Sequence, residues 1–326
     1  MKKLNLLLLS LFVVTSSLLF SSCDEEVVEP PVVVTTAYDF ISASTDHTSL
    51  KAAIDAAGLD GTLATEAGTF TVFAPDNAAF STFLADNGFA ALGDVPVATL
   101  TSVLLNHVLG AKVNSGDLTE SYVNTLSPTT YGNGDDVFSS LYVNLDNGVT
   151  LNGDVTVTGP DNDVANGTVH LVNKVIGLPT VVTFATSNPA LASLVAALTA
   201  DSLATDFVSV LSGAGPFTVF APTNAAFQAI LDSNPAWNTP NDIDKATLDA
   251  VLRYHVTGAG NVRSAAITDG MMVTTLNNSE MFTINTGGTN PVITTTSGGT
   301  ANIITTLVDI QGFNGVVHVI DAVLLP

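Results

Sequence analysis

The sequence contains itself twice. Thr71-Val72-Phe73-Ala74-Pro75-Asp76-Asn77-Ala78-Ala79-Phe80 returns as Thr218-Val219-Phe220-Ala221-Pro222-Thr223-Asn224-Ala225-Ala226-Phe227, with nine of ten positions identical. Asn166-Gly167-Thr168-Val169-His170-Leu171-Val172 returns as Asn314-Gly315-Val316-Val317-His318-Val319-Ile320. Leu105-Asn106-His107-Val108 matches Arg253-Tyr254-His255-Val256, and Leu50, Ile54 and Leu59 match Leu194, Leu198 and Leu203. The offset stays between 144 and 148 positions in all four blocks. Order and spacing held together in this way mean two copies of one unit, at 37–179 and 180–326. A period of this length is a whole domain, not a solenoid repeat. The join, Gly177-Leu178-Pro179-Thr180-Val181, is short and mostly apolar. It predicts two closely coupled domains.

Both copies read alike. Leu50, Ala53, Ile54 and Ala57 fall on one helical face. Phe70–Phe73 and Phe217–Phe220 are β-rich runs ended by Ala-Pro. Asp76 and Thr223 then stand where an N-cap belongs, before Asn-Ala-Ala-Phe opens a helix. Leu100, Val103, Leu104, His107 and Val108 share a second helical face, as do Leu248, Val251, Leu252, His255 and Val256. The last third of each copy is rich in Thr and Val; in the first, Asp146-Asn147-Gly148 and Asn152-Gly153-Asp154 add turn signals. It predicts antiparallel strands. Helices first and strands after them indicate an α+β fold.

The repeated Thr-Val-Phe-Ala-Pro-(Asp/Thr)-Asn-Ala-Ala-Phe, the central Tyr254-His255 and the closing Asn-Gly-x-Val-His resemble the fasciclin domain over about 290 residues. The resemblance implies two tandem domains, each a β-sandwich wedge flanked by helices. It also implies a secreted or surface-anchored protein concerned with adhesion. Asn106 stands where the second copy has Tyr254, so the Tyr-His motif is incomplete in the first copy.

Lys2 and Lys3 precede an apolar run from Leu4 to Phe20, followed by Ser21-Ser22-Cys23. This order reads as a signal peptide over 1–22. Leu19-Phe20-Ser21-Ser22-Cys23 resembles a bacterial lipobox, which implies acylation of Cys23. The acidic Asp24-Glu25-Glu26 resembles the surface-export signal of Bacteroidetes-type lipoproteins, and residues 23–36, with Pro30-Pro31, read as an extended tether. These features give the expectation of an outer-membrane lipoprotein exposed at the cell surface. Without the leader, six basic side chains face 30 acidic ones. Such a field repels nucleic acid and disfavours docking on anionic lipid, so any membrane contact is expected through the N-terminal lipid alone. Cys23 is the sole cysteine, which excludes a disulfide framework within one chain.

The chain has no Gly-x-Ser-x-Gly elbow, no P-loop and no HExxH, which argues against an enzyme and against a catalytic metal. No cofactor is expected. His107 and His255 on an apolar helical face, and His170 and His318 in Val-rich strands, read as core histidines satisfying buried polar groups near the Ala-Pro turn. His47 reads as a surface residue. Asp161-Asn162-Asp163 and Asn133-Gly134-Asp135-Asp136 offer hard oxygen ligands for calcium, although turn chemistry also explains them. Trp237, the sole tryptophan, lies in a loop, either packed against it or offered to a sugar or protein. The candidate partner-binding residues are thus Tyr254, His255, Asn106, His107 and Trp237. The expected partners are extracellular protein or polysaccharide. The alternatives are a small-ligand receptor or enzyme using the cleft between the domains, and a spacer without a ligand.

Overall fold

A computed structural model describes residues 35–326 except 66, 132–136, 202 and 278–279. The leader, Cys23, the acidic cluster after it and the 133–136 turn lie outside the described residues.

Copy 1 opens with helices α1 (Ala37–Ala43), α2 (Thr48–Ala57) and α3 (Asp60–Leu63), strand β1 (Phe70–Pro75), and helices α4 (Asn77–Asp86) and α5 (Val97–Leu105). Six strands follow: β2 (Val108–Leu109), β3 (Ser121–Pro128), β4 (Phe138–Asn144), β5 (Thr150–Leu151), β6 (Val155–Val164) and β7 (Gly167–Val172). Copy 2 repeats the plan with α6 (Val181–Ser187), α7 (Ala192–Leu198), α8 (Phe207–Leu211), β8 (Phe217–Pro222), α9 (Asn224–Asp232) and α10 (Lys245–Tyr254). Its remaining strands are β9 (Val256–Thr257), β10 (Met271–Thr274), β11 (Met281–Asn285), β12 (Val292–Thr294), β13 (Thr300–Asn302), β14 (Ile310–Gly312) and β15 (Gly315–Ile320).

The repeated motifs do definite structural work. Asp76 caps α4 by accepting from the Ala79 N–H at 2.7 Å, and Thr223 caps α9 through the Ala226 N–H. The next residue ties two helices together. Asn77 accepts from the Ser49 N–H and donates to the Thr45 carbonyl, and Asn224 does the same with Ser193 and Pro189. In the closing motif, the fully buried Asn166 accepts from the Ala37 N–H and donates to the Leu63 and Thr65 carbonyls. Asn314 does likewise with Val181, Leu211 and Gly213. Gly167 follows because a Cβ there would collide with the Phe70 carbonyl.

In copy 1 the strands form one sheet in the order β2-β1-β7-β6-β5-β4-β3. It curls so that Phe73, Leu141, Val143, Leu151 and Val172 fill the space between its two halves. A second core, with Leu50, Ile54, Val72, Phe80 and Leu100, lies between helices and sheet. Each such buried side chain is worth ~1.5–3 kcal/mol. Copy 2 divides the same strands into two sheets, β14-β15-β8-β9 and β10-β11-β12-β13.

One expectation gains a detail and two change. The strands of the last third are antiparallel to one another, β3 through β7, as expected, and the closing β7 then joins β1 in parallel, with Phe73 opposite His170. Helix α5 stops at Leu105, and Val108 enters strand β2 opposite Val72, so pairing with β1 overrides the helical spacing. His47 is buried, 5% exposed, with its Nδ1 2.7 Å from Ser44 Oγ. Its counterpart in copy 2 is the fully buried Leu191, so both copies fill this place from a short 3₁₀ turn.

Candidate functional site at the junction of the two copies

The four motif histidines form two matched pairs. His107 Nδ1 faces the Val103 carbonyl at 2.7 Å and must donate; its Nε2 accepts from the Ile176 N–H at 2.8 Å. His255 stands between Val251 and Leu324 in the same way, at 2.7 and 2.9 Å. The strand histidines carry the other tautomer. His170 Nε2 donates to the Val113 carbonyl and Nδ1 accepts from the Asp161 N–H; His318 does so with Val262 and Asp309. Every ring nitrogen therefore serves a backbone group. These groups belong to helix α5 (α10 in copy 2), the exit segment, the loop before β3 (β10) and strand β6 (the residue before β14), not to the Ala-Pro turn. Burial pushes His107 and His255 down to about 4, so both are neutral at physiological pH.

The residues beside them are also interior. Tyr254 is fully buried; its hydroxyl donates to the Met281 carbonyl at 2.8 Å and its ring meets Phe282 edge-on. Asn106, fully buried, donates instead to the Gly177 carbonyl and accepts from Thr125 Oγ1. Tyr254, His255, Asn106 and His107 therefore offer no side-chain surface to a partner in this conformation. Trp237 is half-buried, packed on the copy 2 core with an edge left open.

The structure brings together a different set of residues, where copy 2 lies on the outer face of β3 and β4. Tyr122 packs edge-on against Phe184, ring centroids 5.8 Å apart, and its hydroxyl accepts from Asn188 Nδ2 at 3.0 Å. Burial raises the Tyr122 phenol to about 12. Ser140 Oγ accepts from the Gln311 N–H at 3.0 Å, and Tyr131 donates to the Phe313 carbonyl at 3.1 Å. Sequence inspection missed these residues because Tyr122 and Ser140 differ between the copies, and motif matching rewards identity.

Two clefts flank this junction. One, of about 360 Å³, is lined by Asn124, Ser140, Arg263, Thr306 and Asp309 among others. Arg263 Nε is buried without a hydrogen-bond partner in the protein, and Nη2 stands 3.8 Å from Asp309. The Asp309 carboxylate is already held by Ser264, through its N–H and hydroxyl. The other cleft, about 940 Å³ and open, lies along the join, lined by Phe83, Asn87, Lys174, Leu178 and Thr183. Among the described residues no group of three or more His, Cys, Asp or Glu could hold a metal ion. Of the acidic turns, Asp161 is engaged by Ser115 and Asp163 by Lys112.

The paired folds, the capped Ala-Pro-(Asp/Thr)-Asn turn and the buried histidines define a class, and the comparisons agree with it. The fasciclin-domain family model matches residues 45–179 and 189–326, so the chain belongs to the fasciclin family. It is 36% identical to "Protein sll1483" of Synechocystis over 45% of this chain and 73% of that protein. It is 28% identical to human periostin, and 28% identical to the pig transforming growth factor-beta-induced protein ig-h3, over 79% of this chain in each case. The chain spans only 28% and 35% of those two proteins. Among solved structures it resembles the FAS1 domain pair of the insect cell adhesion molecule fasciclin I, with TM-score 0.51 and 20% identity over 85% of this chain and 97% of that one. That likeness shows the fold, an α+β tandem pair. Relatives of this family include cell adhesion molecules.

Proposed function

We propose that this protein is a lipid-anchored envelope protein that binds extracellular protein or polysaccharide and performs no catalysis. The observation that carries the reading is the junction: Tyr122, Ser140 and Tyr131 hold the two fasciclin units face to edge, not on a flexible linker. Binding surfaces on both units then meet a repeated target in fixed geometry, and two linked contacts can exceed one by ~10²–10⁴. The adhesion role of fasciclin I, whose domain pair shares this fold, supports the same reading. The Lys2–Cys23 order supports export and anchoring, with Cys23 acylated, residues 1–22 removed and 23–36 serving as tether. Asp24-Glu25-Glu26 supports exposure at the outer-membrane surface. The most accessible of the original candidates is Trp237.

A second reading is favoured by one feature, the polar cleft with Arg263. An arginine there suits a small acidic ligand held between the copies.

The test compares cells carrying wild-type protein, Cys23→Ser and Trp237→Ala for attachment to immobilised extracellular polymer from the same culture. Cys23→Ser should release the protein from membranes and abolish attachment. Trp237→Ala should weaken attachment at a temperature where the copy 2 core, on which the ring packs, is still folded. Attachment unchanged in both variants overturns the reading, and titration with glucuronate against Arg263→Gln decides the second.

A further inference from the structure

The repeat supplies the two main surfaces of the junction twice, and the chain uses each once. The outer face of copy 1 pairs Tyr122 with Tyr142 and Asn124 with Ser140. Copy 2 has the same register, Met272 with Thr283 and Thr274 with Met281. The alignment is fixed by the neighbouring bonds: Thr125 Oγ1 donates to the Ser139 carbonyl, and Thr275 Oγ1 to that of Glu280. In copy 1 this face is covered by copy 2, and Ser140 and Tyr142 are each 2% exposed. In copy 2 it is open, with Met272 61% and Met281 37% exposed.

The covering half is duplicated as well. Phe184 on α6 is fully buried and Gln311 on β14 is 1% exposed, both at the junction. Their counterparts in copy 1 are Phe40 on α1, which is half-buried, and Asp163 on β6, which is exposed. Among the described residues, one end of the pair thus bears an acceptor face that no second domain covers, and the other a covering edge that meets no second domain, its Asp163 paired with Lys112.

We propose that a second copy of this chain docks head to tail, laying its α1 and the Asp163 end of β6 on the Met272–Met281 face. The contact repeats an interface already present within the chain, so it is heterologous and extends into a row unless the rotation closes a ring. Methionine suits the face, since its flexible thioether adapts to an imperfect fit. Met281 offers no hydroxyl to replace the Ser140–Gln311 bond, and no covalent join concentrates the partners. The association is therefore weaker than the internal junction. Two strongly acidic chains also repel each other, so it strengthens as salt rises.

The chain beginning at Asp24 retains the whole compact unit 34–326 and contains no cysteine. Asp163→Cys combined with Met281→Cys, oxidised at rising concentration, should give a ladder of dimers, trimers and longer species. Cross-linking no greater than that of Asp163→Cys with Val97→Cys, another exposed apolar site, overturns the proposal. Equal dimer from Met281→Cys alone also overturns it, because the faces would then meet symmetrically. Sedimentation of the same chain should show Met272→Asp weakening self-association at least tenfold and Val97→Asp leaving it unchanged; association indifferent to Met272→Asp is equally fatal.

Discussion

His107 Nε2 holds the backbone N–H of Ile176, 69 positions along the chain, at 2.8 Å, and His255 holds that of Leu324 across the same separation at 2.9 Å. Each ring thus pins the segment leaving its domain to the end of a helix, and it does so as a buried neutral group.

His107→Ala and His255→Ala should each destabilise the protein. Two backbone partners lose their hydrogen bonds, at ~1–3 kcal/mol for each stranded group, and a cavity adds to the loss. Urea unfolding of the full chain measures this. Midpoints equal to wild type would contradict the structural role and return the histidines to the list of ligand sites.

Acid should weaken the fold well above the carboxylate range. The folded pKa of His107 and His255, about 4, lies below the ordinary 6.5. Their contribution is therefore fully present above pH 6.5 and is lost as pH falls toward 4, because the unfolded chain takes up protons the folded one refuses. His47 and His318 shift the same way through burial. At pH 5 the loss is about 2 kcal/mol for each of His107 and His255. Asp161, held low by Ser115, acts only below its usual 3.8. A stability profile flat from pH 7 to 5 would refute the assignment.

Gly153→Ala should loosen the junction. Its φ is +83°, and an added Cβ would stand 3.0 Å from Ser187 Cα across the domain boundary. Gly148 has a similar φ, +86°, with nothing within 4 Å of the same position. Both alanines incur a left-handed backbone cost of ~1 kcal/mol. Only Gly153→Ala should also split the thermal transition into two, as calorimetry can show; one cooperative transition in both variants would mean that this approach does not couple the copies.

Tyr254→Phe and Tyr254→Ala separate hydrogen bond from packing. Losing the bond to the Met281 carbonyl should cost ~0.5–1.5 kcal/mol, and losing the ring ~3–5 kcal/mol. Denaturant titration checks both. An unfolding midpoint untouched by Tyr254→Ala would show that the ring is not the packed element it is here.

The repeat carried most of what could be read in advance. Identity at Asn77/Asn224 and Asn166/Asn314, and the interchange of two capping residues at Asp76/Thr223, pointed to positions whose roles are local or backbone-directed: caps, helix ties and a buried bridge. Such roles leave a repeated signature because both copies must satisfy the same backbone groups. Fold class and family membership followed from the same positions. The spacing of His107 and His255 marked them as interior, yet not what they bind, since Ile176 and Leu324 are distant in sequence.

The site was legible only in part. Tyr254 and Asn106 stood out by their difference, but in both cases the side chain turns inward, and tertiary packing alone decides that. His47 lacked a matching histidine and read as surface, although the buried Leu191 opposite it marked an interior place. The junction itself was hidden. Tyr122, Ser140, Met272 and Met281 occupy matching registers with unlike residues, and their meaning depends on which outer face copy 2 covers. Sequence fixes local hydrogen bonding and periodicity, which act over a few residues. Which copy's sheet is buried and which is left open depends on how two finished domains pack, a choice made by surface shape between residues 66 to 182 positions apart and visible only once the chain is folded.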